Sequence, residues 1–127
     1  MSPNNSPAAG YVDGFLIAVP NAKKEAYREM AAKAAPIFFD HGALYLAENW
    51  GDDVPHGQLT DFYMAVKAEP DETVVFSWII WPSKEARDTG MKAFMDDPRL
   101  KEMTEMPFDG KRMVFGGFAP LLHEARP

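Results

Sequence analysis

The alternation of apolar and polar positions divides the chain into strands and helices separated by proline and glycine. Residues 11 to 19, YVDGFLIAV, are rich in aromatic and β-branched side chains and stop at Pro20, which predicts a first strand. Residues 43 to 50, ALYLAENW, predict a second strand, and residues 72 to 81, ETVVFSWIIW, carry the strongest strand pattern in the chain. Residues 111 to 122, KRMVFGGFAPLL, follow an Asp-Gly turn and predict the last strand.

Two helices are predicted between these strands. In residues 22 to 42 an apolar stripe recurs at steps of three and four behind a possible N-cap at Asn21, and its members are Tyr27, Met30, Ala34, Ile37, Phe38 and His41. Pro36 removes one internal hydrogen bond and predicts a bend in this helix. Residues 84 to 97 predict the second helix, in which Gly90 would permit close packing on the sheet.

The segment from residue 60 to residue 68 fits two structures. Phe62, Met64 and Val66 alternate as in a strand, whereas Phe62, Ala65 and Val66 fit a short helix capped by Thr60. Both alternatives stay open. The remaining order of strand, helix, strand, strand, helix and strand predicts an α+β sandwich of ferredoxin-like topology, with an antiparallel sheet and two main helices.

The strand at residues 72 to 81 is apolar on both faces. One face carries Val74, Phe76, Trp78 and Ile80, and the other carries Val75, Ile79 and Trp81 with Ser77 as its polar member. Two helices cover one face of an antiparallel sheet, and an uncovered face normally shows polar alternation. The pattern therefore predicts a homodimer that joins two sheets face to face.

Composition and charge narrow the possible partners. The 127 residues include no cysteine and carry a net charge of −6, which disfavours thiolate metal sites and nucleic-acid partners. No secretory signal or membrane span is present, so we expect a soluble cytoplasmic protein without a membrane partner. We expect residues 1–10 to be a disordered N-terminal tail and residues 11–127 to form one domain, with no cofactor and no metal.

Several motifs resemble the YbaA-like family, small bacterial proteins of unknown function. The similar segments run from Tyr11 to Phe118 and are YVDGF, WGDDVP, TDF, DETVVFSWI, WPSKEARD, DPR and MPFDGKRMVFGGF. This resemblance implies the dimeric α+β barrel superfamily, whose members include cofactor-independent monooxygenases, haem-degrading enzymes, isomerases and ligand binders. It implies no catalytic residues, because the family has no established activity.

The loop NWGDDVPHGQLTDF, residues 49 to 62, is acidic and contains one histidine. Asp52 and Asp53 are adjacent, so in extended chain their side chains point to opposite sides and cannot grip one ion. Pro55 and Gly57 suit the second and fourth positions of a type I turn. We therefore interpret the loop as a turn, with His56 in solvent.

Two residues are candidates for catalysis. His41 continues the apolar stripe of the first helix, either as a half-buried histidine at the helix C-terminus or as a proton donor at the mouth of a cavity. Asp13 is an unusual carboxylate within a strand. It pairs with Lys111 or Arg112 in the structural interpretation, and acts as a general base with a burial-raised pKa in the functional one.

Aromatic side chains could form a ligand pocket between the sheet and the helices. The candidates are Tyr11, Trp50, Tyr63, Trp78 and Trp81, with His41 at its mouth, although such aromatic residues more often serve core or interface packing. The sequence thus predicts a small homodimer that binds a planar or apolar ligand. A cofactor-independent monooxygenase or isomerase is the first alternative, and a structural partner-binding protein is the second.

Overall fold

The computed structural model describes residues 10–127 and contains one four-stranded antiparallel sheet. The strand order is β2-β3-β1-β4, with bounds β1 Tyr11–Pro20, β2 Tyr45–Trp50, β3 Glu72–Trp81 and β4 Val114–Phe118. This order confirms the predicted ferredoxin-like α+β topology. The disordered tail predicted for residues 1–10 lies, apart from Gly10, outside the described residues.

Within the described residues, four helices and two 3-10 turns lie between the strands. Their bounds are α1 Lys24–Asp40, α2 Phe62–Ala65, α3 Lys84–Asp96 and α4 Pro98–Lys101, and two 3-10 turns occupy Asn21–Lys23 and Gly110–Arg112. Ser83 caps α3, since its side chain accepts a hydrogen bond from the Ala86 amide. Helix α1 continues through Pro36 to Asp40.

The face of the sheet beneath α1 and α3 is filled by large apolar side chains. Trp81 is fully buried there, and the ring of Phe38 from α1 meets it edge to face with centroids 6.4 Å apart. Phe38 also stacks on Phe94 of α3 with centroids 3.8 Å apart. The two helices are therefore joined to each other and to the sheet through the same aromatic contacts.

The opposite face, here called the open face, has little cover. Helix α2 and Val66 pack on Ala18 and Val74 at one end of this face. Beyond that end, Phe76 is 48% exposed and Phe118 is 62% exposed. The prediction that β3 is apolar on two faces and that the helices cover one of them is confirmed.

Two details of the predicted elements are corrected. The ambiguous segment forms the short helix α2, and Asp61 caps it in place of Thr60, because the Asp61 carboxylate accepts a hydrogen bond from the Met64 amide. The last strand is shorter than predicted. The first residues of the predicted strand form a 3-10 turn, which Asp109 caps by accepting a hydrogen bond from the Lys111 amide. At the other end, the pairing of β4 with β1 stops at Phe118.

Gly90 lies at a close contact between α3 and the sheet. An added Cβ would lie 2.5 Å from Cζ3 of Trp81 and too close to the carbonyl oxygen of His41. Alanine gains about 1 kcal/mol over glycine in a helix. The clash outweighs this gain because one neighbour is backbone, so we expect Gly90→Ala to destabilise the fold by about 1–3 kcal/mol in urea unfolding. Gly110→Ala, with nothing within 4 Å, is the matched control and should be nearly neutral.

Candidate functional site

The open face carries an apolar groove of about 550 Å³. Strands β1 and β3 supply its floor through Val12, Gly14, Phe76, Trp78 and Ile80. Its rim comes from the end of β4 and the chain that follows, through Phe118, Pro120, Leu122 and His123. The groove lies on the face of the sheet away from α1 and α3, whereas the sequence predicted a ligand cavity between sheet and helices. That space is occupied by Trp81, Phe38 and their neighbours.

The groove offers flat aromatic surfaces beside a shallow trough. Phe76 and Trp78 meet edge to face with centroids 5.1 Å apart. Gly14 lies opposite Gly116 in the β1–β4 register, and a Cβ added at either position would contact the Phe118 ring at 3.6 Å. An aromatic floor with a side-chain-free strip next to it suits a planar apolar molecule.

Asp13 faces the helices and is buried there with two partners. The Trp81 Nε1 donates to its Oδ2 at 2.9 Å, and Nε of Arg87 lies 3.5 Å from its Oδ1. The predicted partners are wrong, because Arg112 lies in the 3-10 turn before β4 and pairs with Glu72 and Asp109 instead. Burial raises the pKa of Asp13, although Arg87 and the Trp81 hydrogen bond act in the opposite direction.

Arg87 holds Tyr11 in the same cluster. Its Nη2 donates to the Tyr11 hydroxyl at 2.9 Å, and the guanidinium carbon lies 4.7 Å from the centre of the Tyr11 ring. Gly117 of β4 leaves the room for this arrangement, since its added Cβ would lie 2.7 Å from Cε2 of Tyr11. Close packing against Tyr11 and Arg87 therefore explains the glycine at position 117.

A second polar group lies between α1 and the sheet and was missed from the sequence. The Tyr27 hydroxyl donates to Oε1 of Glu48 at 2.6 Å, next to the buried Ser77. Burial raises the pKa of the Glu48 carboxyl, although Glu48 as a whole residue is exposed on the edge strand β2. Burial and the nearby Glu48 carboxylate raise the pKa of the Tyr27 hydroxyl. The polar Ser77 in a strand of apolar residues is the pattern that could have indicated this group.

His41 lies at the C-terminus of α1, near the surface. Its Nε2 is 2.8 Å from Oδ2 of Asp97, the residue that caps α4. Hydrogen bonds from Arg99 and His41 hold the pKa of Asp97 well below its usual range. His41 does not line the groove, and the structure shows it joining the end of α1 to the start of α4.

The acidic loop before α2 contains a stacked aromatic pair. The His56 ring lies 4.2 Å from the Tyr63 ring at 15°, and the Tyr63 hydroxyl donates to the Val54 carbonyl at 2.8 Å. Asp61 holds the turn by accepting from the Gly57 amide, and the His56 side chain is exposed. Within residues 10–127, no three His, Asp or Glu side chains converge as metal ligands would.

The predicted ligand residues do not converge on one site. Tyr11 and Asp13 share the cluster around Arg87, and Trp50 packs at the far end of the helix-covered face under Lys24. Tyr63 is tied to its own loop. Trp78 alone lies in the open-face groove, where residues that the sequence did not single out as ligand contacts, such as Phe118 and His123, join it.

A second cavity of about 650 Å³ lies between α1 and residues 99–107. Apolar residues such as Met30, Ile37 and Met103 alternate in its wall with Lys33, Arg99 and acidic side chains. It is remote from the aromatic residues of the open face.

Among the described helices, none is long and apolar enough to cross a membrane.

Comparison with known families assigns the chain. Residues 10–110 match a family described as "Protein of unknown function (DUF1428)". The chain belongs to this family. Its relatives include the uncharacterized protein YbaA of Escherichia coli K12, 63% identical over 115 residues that span 90% of this chain and 98% of YbaA. The YbaA protein of Shigella flexneri matches to the same extent, which confirms the resemblance seen in the sequence motifs.

Solved structures of low sequence identity share the fold. A monooxygenase from the gene ActVA-Orf6 of Streptomyces coelicolor, in complex with nanaomycin D, has a TM-score of 0.59 at 17% identity, covering 99% of this chain and all of that one. A dimeric ferredoxin-like protein from an uncultured marine organism has a TM-score of 0.53 at 9% identity, covering 92% and 99%. These similarities confirm the ferredoxin-like fold of this family member.

Proposed function

We propose that two copies of the chain associate through their open faces and enclose a groove that binds a planar apolar molecule. The observation that carries this proposal is the uncovered apolar surface around Phe76, Trp78 and Phe118 on a sheet whose other face is already packed. Soluble monomers rarely expose a continuous apolar patch of more than a few hundred Å². In this proposal residues 11–127 act as one domain, and the cytoplasmic location predicted from the sequence stays a prediction.

The fold comparison supports the second copy as the occupant of the open face. One of the structural neighbours is described as dimeric, and the ferredoxin-like sheet is the element that it shares with this chain. The groove volume of about 550 Å³ falls within the range of about 300–1,000 Å³ that is usual for small-molecule sites. Phe76 and Trp78 supply the stacking surfaces for a planar ring.

The enzymatic alternative has less support from the geometry. A structural neighbour is named as a monooxygenase, which suggests a reaction for this fold. A general acid or base must reach the bound molecule. His41 pairs with Asp97 near the surface, and Asp13 is enclosed on the helix side by Trp81 and Arg87, so neither candidate faces the groove. Binding is therefore the function that we propose first.

A charged side chain in the open face tests the association. We expect the wild-type chain to sediment as a dimer of 14.2-kDa subunits at micromolar concentration, and Phe76→Glu to sediment as a monomer, because a buried unpaired carboxylate opposes the interface. Phe39→Glu is the matched control, since Phe39 on α1 is 47% exposed and Phe76 is 48% exposed. Far-UV circular dichroism should show both variants folded.

Two results would count against the proposal. A monomeric wild-type chain would rule out the face-to-face association, and a stable complex with a different protein would assign the open face to that partner. Native mass spectrometry of freshly purified protein addresses the ligand separately. A reproducible extra mass on the wild-type dimer that is absent from Phe76→Glu would support the groove as its site.

A further inference from the structure

We infer that the chain after β4, residues 119–123, completes the groove and that His123 selects planar aromatic molecules carrying a hydroxyl group. This inference rests on the proposed function, because it concerns the ligand of the same groove. It goes beyond that function by naming the chemical group that is recognised and the side chain that recognises it.

The position of the segment supports its part in the site. Strand β4 ends at Phe118, and Pro120, Leu122 and His123 then lie along the groove beside Trp78 and Ile80 of β3. Leu122 is nevertheless 78% exposed. An apolar side chain that lines a groove and keeps most of its surface in solvent is suited to be covered by a ligand or by the second copy.

The polarity of the lining supports the selection. Among the residues that line the groove, side-chain nitrogen or oxygen atoms belong to Trp78 and His123 alone. The indole N–H of tryptophan only donates, whereas an imidazole carries a donor and an acceptor nitrogen. A ligand hydroxyl that must donate its proton in the closed groove therefore has His123 as its side-chain acceptor.

The energetic consequence is selectivity more than affinity. An aromatic ring gains its binding free energy from contact with Phe76, Trp78 and Phe118, and this gain is the same with or without a hydroxyl. A hydroxyl that is removed from water without an acceptor weakens binding. With His123 present the hydroxyl is satisfied, so hydroxylated rings bind better than the bare hydrocarbon, and without His123 this preference is lost.

Naphthalene and 1-naphthol form a matched pair of probes. Binding is followed by quenching of tryptophan fluorescence, and Trp78→Phe should remove the part of the signal that comes from the groove. For the wild-type dimer we expect 1-naphthol to bind about tenfold more tightly than naphthalene. In His123→Leu this ratio should fall to about one or below, because the hydroxyl then has no acceptor. The affinity for naphthalene should change by less than about twofold, because leucine keeps the apolar contact.

Two controls keep the test specific. His56→Leu replaces an exposed histidine that stacks on Tyr63 outside the groove, and it should leave the ratio of the two affinities unchanged. A chain ending at Ala119 keeps Phe118 but lacks Pro120, Leu122 and His123, and should bind both probes more weakly. Because His123 is exposed, we expect the unfolding transition of His123→Leu to match that of the wild type.

The outcomes separate this inference from the proposed function. An unchanged preference for 1-naphthol in His123→Leu would overturn the role of His123 and leave the groove as a binding site. A wild-type protein that binds neither probe would overturn the ligand site, and the inference with it, whatever its mass in sedimentation. Loss of the preference in His123→Leu, with naphthalene still bound, supports both.

Discussion

Replacing Trp81 by alanine is expected to lower the free energy of unfolding by about 3–5 kcal/mol. Trp81 is fully buried between the sheet and both long helices. Its ring contacts Phe38 of α1 and packs closely against Gly90 of α3. Its removal leaves a cavity that the surrounding strands and helices cannot fill. It also removes the N–H that bonds to the buried carboxylate of Asp13. Urea unfolding followed by circular dichroism measures the loss.

Trp81→Phe separates these two contributions. Phenylalanine keeps part of the aromatic contact and lacks the donor to Asp13, so we expect a smaller loss than for alanine. Trp50→Phe, at the partly buried end of β2, is a milder change in the same sheet and serves as the control. Equal stability of Trp81→Ala and wild type would contradict the packing between helices and sheet described above.

Arg87→Leu is expected to cost about 2–3 kcal/mol at neutral pH, less than the roughly 3–5 kcal/mol of a fully buried pair. The expected cost is lower than for a fully buried pair because the Arg87 side chain is 24% exposed and solvent screens its charge in part. Without Arg87, the carboxylate of Asp13 stays buried with the Trp81 indole as its hydrogen-bond donor, and the Tyr11 hydroxyl loses its donor. Leucine retains much of the apolar contact, so the loss reports mainly on charge.

The loss in Arg87→Leu should depend on pH. Asp13 has a folded-state pKa above its ordinary value of 3.8, so the stability that it contributes is present at low pH and is lost as pH rises through the folded pKa. Removing Arg87 takes away a group that lowers this pKa, which raises it further. The deficit relative to wild type should therefore shrink between about pH 7 and about pH 3.5 in urea titrations.

The double variant Asp13→Asn with Arg87→Leu provides the internal check. Asparagine carries no charge and still accepts from Trp81, so the double variant should recover most of the stability that Arg87→Leu loses at pH 7. A double variant as unstable as the sum of the two single variants would show that the pair does not interact. A deficit that is constant with pH would exclude Asp13 as its source.

The sequence predicted the helices and strands better than it predicted which side chains contact one another. The bounds of β3 are those predicted, because an unbroken run of β-branched and aromatic residues between Pro70 and Pro82 admits no other element. The segment before it stayed open, since Phe62 and Val66 suit either period and the side chain of Asp61 decides for a helix. Such a cap depends on a hydrogen bond between a side chain and the backbone. The spacing of apolar residues carries no information about that hydrogen bond.

The candidate site was predicted only in part for a related reason. The two apolar faces of β3 correctly indicated that one face is left uncovered by the helices, but they did not tell which one. The structure places Trp78 on the uncovered face. The partner of Asp13 was assigned to the last strand, but Arg87 approaches from α3, and strand pattern does not tell which helix residue lies above a strand. His123 was missed because it follows β4 without periodic structure, and only the path of the chain brings it to the groove.

The two edges of the sheet bear on how this chain avoids uncontrolled self-association. β2 and β4 are the outer strands, six and five residues long, so each offers only a short run of free backbone groups for pairing with another sheet. β2 carries Glu48 and Asn49, and β4 carries Gly116 and Gly117, which are poor templates for strand addition. Growth by strand addition into fibrils is therefore disfavoured. A broad apolar face is tolerable in a chain whose edge strands are poor templates for further strands.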